Sequence, residues 1–181
     1  NNAVLVVVGN VDTNDVIEKA QEHFGHLKPN WSYAHKEYSC QDDICSKNVT
    51  LYRDVQKPVA FIVFKMPGAR HAQSIAFDVF NHIIAGGRGS RLYTKLIDQE
   101  QLVNSLSIQS FNLFDADLLL FVFEPRNIEA LPFIMNHMQQ EFEGLKHHGP
   151  QLYEIESALQ KIQSSMYDLM ETNHGQAETI A

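Results

Sequence analysis

Nine histidines, two cysteines and one glycine-rich loop are the places where this 181-residue chain could do chemistry. A hydrolytic zinc site on a helix needs His-Glu-x-x-His or the inverted His-x-x-Glu-His, so that imidazoles and carboxylate share one face. Neither motif occurs. His23 and His26 in "HFGH" flank a helix end with a spacing that can bind metal. Histidines there also complement the negative end of the helix dipole, and we read them, with His147 and His148 in "KHHG", that way. Four residues separate Cys40 from Cys45, in a polar stretch near His35. A metal site would need two further ligands, so they read as loop thiols, free or locally bridged.

The glycine-rich loop is "AGGRGSRLYTKL", residues 85–96. Loops of this composition cradle phosphate when a buried strand leads into them and backbone N–H groups open a helix behind. Here a helix precedes Gly86, and no Gly-Lys-Ser/Thr follows. The dinucleotide pattern G-x-G-x-x-G fits Gly87 and Gly89 but meets Leu92 where its third glycine belongs. The context instead predicts a helix–helix junction. Gly86 and Gly87 would take positive φ to end one helix, Ser90 would cap the next, and Arg91 would anchor it.

Other candidates fall away on spacing. Glu154 and Glu156 stand two apart on a helix and point to different faces. Ser90, Ser105 and Ser110 lack a nucleophile-elbow context. Met66, Met135, Met138, Met166 and Met170 fall mostly on apolar helix faces and read as core. No catalytic residue, substrate-binding residue or metal ligand is assigned.

The elements that would position any site follow from periodicity. "AVLVVVG" reads as a strand covered on both faces. A helix capped by Asp12 or Thr13 and stopped by Gly25 follows, with Val16, Ile17, Ala20 and Phe24 on one face. Residues 26–48 are polar and aperiodic, a linker. "VTLYRDV" and "VAFIVFKM" read as strands and residues 70–85 as a helix, with Ile75, Val79, Phe80, Ile83 and Ile84 on one side. A short helix from Ser90 and two strands, "SLSIQSFNL" and "ADLLLFVFE", come next. Two long amphipathic helices close the chain. The first carries Ile128, Leu131, Ile134, Met135, Met138, Phe142 and Leu145 and stops at Gly149; the second carries Leu152, Ile155, Leu159, Ile162, Met166 and Leu169. Strand pairs alternating with helix pairs imply an α+β fold, with helices packed on an antiparallel or mixed sheet.

Composition narrows the partners. The net charge of −8, with Lys and Arg scattered singly, argues against nucleic acid. No apolar run is long enough to span a membrane. The chain enters a strand at once without Met and stops within a helical pattern, so we expect a piece of a longer protein.

Taken in order, these segments resemble the pitrilysin/insulinase-type zinc metallopeptidases, the inverzincins that include mitochondrial processing peptidase. "NAVLVVVGNVDTNDVIEKAQEHFG" resembles the end of that family's first domain. "QKPVAFIVFKMPG", "AFDVFNHIIAGGRGSRLYTKLIDQEQLVNSLSIQS" and "ADLLLFVFE" resemble its second, non-catalytic domain. Gly86, Gly87, Gly89, Ser90, Arg91 and Leu92 are the structural signature. The resemblance implies a LuxS/MPP-like metallopeptidase fold. Residues 1–25 would end a catalytic-type domain, 26–48 would link, and 49–181 would form a second domain truncated at its C-terminal end. It also implies zinc in the parent, held upstream by His-x-x-Glu-His and a later Glu, with no cofactor in this piece. Some members use an Arg and a Tyr of the second domain to help bind substrate, and the matching positions here are Ile97 and Asn104. The implied partners are the missing catalytic domain, a paired homologous subunit bearing the Arg/Tyr pair, and a peptide substrate. A bacterial periplasm is the expected compartment, with the mitochondrial matrix as alternative. The resemblance implies one wall of a peptide chamber, inactive alone. The rival is a non-catalytic scaffold subunit of the same fold.

Overall fold

The third strand of the sheet, Ala116–Pro125 (β3), organises the larger part of the molecule. The computed structural model describes residues 3–29, 46–69, 71–111, 113 and 116–180. Cys40, Cys45 and His35 lie outside them. The chain divides into two units, residues 39–161 and residues 1–38 with 162–181. One division falls inside the expected 26–48 linker. The other falls within the last long helix, inside the expected 49–181 segment.

In the unit 39–161, β3 lies between β1 (Ala60–Pro67) and β2 (Val103–Ser110) in the order β1-β3-β2, with both pairings antiparallel. Alternate β3 side chains Leu119, Phe121 and Phe123 are buried, as period-two geometry requires of a sheet covered on one face. Ile62 and Ile108 flank Phe121 across the sheet. Against this face pack Ile84 and Ala85 of α2 (Ser74–Ala85) and Ile134 and Met138 of α4 (Leu131–His148). Phe64, Phe80, Phe121 and Phe142 form an aromatic cluster with ring centroids 5.6–6.1 Å apart, in tilted and edge-on geometries that favour such contacts. The other face of the sheet is open: Phe61 is 64% exposed, and Val63 and Leu118 are exposed with it.

Between α2 and β2 the chain makes one α-turn, Arg91–Tyr93 (α3), and continues as a π-helix over Thr94–Gln99. The Glu100 N–H there donates to the carbonyl of Lys95, five residues back. Gln101 follows at φ 51°, the one non-glycine positive φ among the described residues, and a register shift between Val103 and Ser105 starts β2. A 3₁₀ turn, Ile128–Ala130, leads into α4, with the Asn127 carboxamide oxygen accepting from the Ala130 N–H. The helix stops at Gly149, φ 70°. α5 (Leu152–Met170) contributes its residues up to Lys161 to this unit. In the other unit, α1 (Thr13–Phe24) is capped by Asp12, whose carboxylate accepts from the N–H groups of Asn14 and Asp15, and α6 spans Asn173–Ile180.

Two expected strands do not form. Residues 3–8 and 49–55 carry the apolar pattern of strands but no ladder bonds among the described residues, and Val4, Leu5, Val49 and Leu51 are exposed. A strand exists only where a neighbour satisfies its backbone, and the pattern alone does not supply one. α2 starts at Ser74, not 70, and Ile75, expected on its buried face, is 72% exposed. Met135 and Ile128 likewise face outward. Within these bounds the chain is an α+β protein with a wholly antiparallel sheet.

Candidate functional site

The junction after α2 consumes its polar groups internally. Gly87 and Gly89 hold φ 98° and 88°, a region L side chains avoid. Gly86 does not: its φ is −74°. Its need for glycine is one of space, because a Cβ there would lie 2.6 Å from His82 Cα and 2.7 Å from the His82 carbonyl oxygen. The Ser90 hydroxyl donates to the Gly87 carbonyl at 2.7 Å and caps nothing in the helix it begins. Lys161 Nζ donates to the carbonyls of Gly86 and Arg88 at 3.2 and 3.3 Å. The loop therefore turns carbonyl oxygens toward a cation, the reverse of a phosphate cradle.

Arg91 is the centre of a charged clasp. Its Nε and Nη2 donate to the two carboxylate oxygens of Glu154, each at 2.7 Å. Nη1 lies 3.5 Å from Glu141. Glu154 also accepts from the Gln151 N–H at 2.7 Å and so caps α5. The bond from Arg91 holds the Glu154 carboxyl below its ordinary pKa range, against a smaller opposing effect of burial. A bidentate, partly buried Arg–carboxylate pair of this kind fixes geometry as well as energy. Leu92 beneath it is fully buried.

Ile97 and Asn104 stand where irregular backbone meets the sheet. Ile97 sits in the π-helix with its side chain packed against the core. Asn104 lies at the register shift and donates to Glu124 at 3.2 Å, beside Lys57 Nζ at 2.5 Å from the same oxygen. That lysine lowers the Glu124 pKa. Neither position presents a cation or a phenol.

A zinc centre finds no support in the described residues, among which no group of three or more His, Cys, Asp or Glu could hold a metal. His148 Nδ1 lies 3.3 Å from the Gly144 carbonyl and His147 pairs with Glu143 at 3.4 Å, both local to the end of α4. No helix among the described residues is long and apolar enough to cross a membrane.

A second region escaped the sequence reading. Ser74, Phe77, Asp78 and Asn81 of α2 face Met66, Pro67, Ala69, Ser110 and Asp117 across a recess of about 150 Å³. Asp117 is buried and accepts from the Ser110 hydroxyl and from the N–H groups of Phe111 and Leu118. Its signal was present in "ADLLLFVFE", where Asp117 is in phase with Leu119, Phe121 and Phe123 and so on the buried face. A second hollow of about 370 Å³ between α2 and α4, lined by Val79, Phe80, Phe142 and Leu145, is apolar.

Comparison with known proteins agrees with the geometry. Residues 1–162 match the family model for the peptidase M16 inactive domain. The zinc protease PqqE of Helicobacter pylori is 25% identical over 126 residues, which are 67% of this chain and 28% of that protein. The structure of a protease from Helicobacter pylori superposes with a TM-score of 0.78 at 21% identity, over 94% of this chain and 42% of that one. A peptidase M16 inactive domain from Pseudomonas fluorescens gives 0.58 at 16% identity, over 67% and 29%. The chain thus spans less than half the length of each of these relatives. The chain builds an α+β unit with an antiparallel sheet, and the family model covers residues 1–162, most of the sequence: the chain belongs to the peptidase M16 inactive domain family.

Proposed function

We propose that this chain is the metal-free second domain of a zinc-dependent endopeptidase, forms one wall of its peptide chamber and has no peptidase activity alone. The observation that carries this reading is the match of residues 1–162 to the peptidase M16 inactive domain. Zinc would be held by the upstream domain of the parent. The apolar residues 3–8, of which Val4, Leu5 and Val7 are exposed, then read as a strand that completes the sheet of that domain.

Ile97 and Asn104 give this half no Arg/Tyr pair, so a paired homologous subunit would supply it. The same two residues favour the second reading, a scaffold subunit that never grips peptide. The relatives compared are bacterial, which supports a bacterial periplasm over a mitochondrial matrix.

The test is cleavage of an unfolded peptide by three samples: the 181-residue chain, its parent with the upstream domain, and the parent with a homologous subunit carrying Arg and Tyr. We expect chelator-sensitive cleavage only in the third. Stoichiometric zinc and chelator-sensitive cleavage by the chain alone would overturn the proposal. An inactive third sample would leave the scaffold reading in its place.

A further inference from the structure

The last long helix carries an apolar stripe that neither the fold nor the proposed function uses. α5 runs unbroken from Leu152 to Met170, and Ala158 is the only fully buried residue of its 19. One side of it is anchored. Glu154 takes the bidentate bond from Arg91, Ala158 is buried, and Lys161 reaches the Gly86 and Arg88 carbonyls. These three residues stand at i, i+4 and i+7 and share one helix face. Leu152, Ile155, Leu159, Ile162, Met166 and Leu169 share another, about 100° further round. Their spacing alternates three and four, which is the apolar seam of a coiled coil. Leu152 is 71% and Leu159 50% exposed; Met166 and Leu169 are exposed with them, and Ile155 and Ile162 are half-buried. Among the described residues, none of the six packs on the core of the sheet. No charged residue interrupts the seam. A contiguous water-facing apolar stripe of this kind marks an interaction surface.

We propose that α5 is a homodimer interface, its seam meeting the same seam of a second copy of this chain as an antiparallel two-helix coiled coil. The repeat selects a helix as occupant, because the knobs of one such seam fill the holes of another. The register selects a copy of this one. With a two-fold axis between positions 160 and 161, Leu152 faces Leu169 of the copy, Ile155 faces Met166 and Leu159 faces Ile162. Every apolar side chain of the seam thus meets an apolar one. The flanks agree: Glu156 falls beside Gln163 of the copy and Ala158 beside Ser165, so no like charges oppose. The antiparallel order also sets the positive end of each helix dipole beside the negative end of the other. At 1.5 Å per residue the seam is about 28 Å long. That is small for a stable dimer, so association is weak, with a dissociation constant of about 10–100 μM. The pairing needs neither zinc nor peptide and is independent of the proposed function.

The experiment is analytical ultracentrifugation of the 181-residue chain from about 1 μM to about 1 mM, a range that brackets the expected constant. We expect a reversible monomer–dimer equilibrium. Leu159→Glu, at the centre of the seam, should weaken it at least about tenfold, because the dimer would bury two unpaired charges. Leu152→Glu repeats the test at a site so exposed that the fold of the monomer is not at risk. Tyr153→Glu, at an exposed site off the seam, should leave association unchanged. A mixture of Leu159→Glu chains with Ile162→Lys chains should associate more tightly than either alone, because the antiparallel register sets 159 against 162. A chain that stays monomeric at about 1 mM, ten times the weak end of the expected range, overturns the proposal and leaves the seam to a helix of another protein. A dimer indifferent to both Leu159→Glu and Leu152→Glu overturns it as well. So does a mixture no tighter than its two components.

Discussion

Two ends of one helix behave in opposite ways. At its C-terminal end, α2 runs into a loop whose residue types advertise ligand binding, yet Ser90, Lys161 and the Arg91–Glu154 pair satisfy the polar groups from within. Toward its N-terminal end, the same helix lines a recess with no advertised motif, and there a buried oxygen goes unmatched. Residue type marks where a ligand could sit; the hydrogen-bond account shows whether the polar groups there are already spent. The glycine junction is architecture, a joint between two helices whose polar groups are spent within it.

If the junction is a saturated clasp, breaking its centre should cost the most. Arg91→Ala strands the Glu154 carboxylate and should destabilise the chain by about 2–4 kcal/mol in urea denaturation. A double variant with Glu154→Ala should cost clearly less than the sum of the two single changes. A purely additive result would show that the clasp is decorative.

Gly87→Ala should come next, at about 1–2 kcal/mol, because a side chain at φ 98° is strained. No atom lies within 4 Å of the Cβ it would add, so the loss isolates backbone conformation from packing. An unchanged unfolding midpoint would mean the loop relaxes freely.

The smallest effect compares the two ends by pH. The Glu154 pKa is lowered by Arg91, so its contribution is full above the ordinary carboxylate pKa and is lost as pH falls through its lower folded value. The Asp78 pKa is raised by burial. Its ionised form costs stability above that raised value, and the cost is relieved as pH falls toward the ordinary aspartate range. Asp78→Asn should therefore flatten the stability profile in mild acid while leaving the steeper loss at lower pH in place. Parallel profiles for the two proteins would remove the distinction.

Much of the fold was legible because its signals are periodic. The alternation in "ADLLLFVFE" and the helical spacing of Ile134, Met138 and Phe142 each point one way, and the structure follows them. Residues 3–8 and 49–55 misled for a physical reason, since apolar alternation states which side chains want cover but not whether a partner strand is present. The exposed Ile75 shows the same limit on a helix. The clasp was half visible: Arg91 read as an anchor, but its partner Glu154 lies 63 residues away, and no local spacing connects them. Asp117 could have been suspected from its phase on the strand, whereas the unmatched oxygen of Asn81 becomes visible only once the neighbouring elements are in place.

The π-helix over Thr94–Gln99 has a consequence of another kind. A π-turn carries one residue more than an α-turn over the same path. Excising a single residue from this segment would let the backbone close with α-helical bonds and leave the partners of β2 unchanged. Most one-residue deletions in a packed domain rotate a helix or flip a strand. This stretch is where the chain's length could change by one without moving the sheet, a point of slack in an otherwise tightly registered unit.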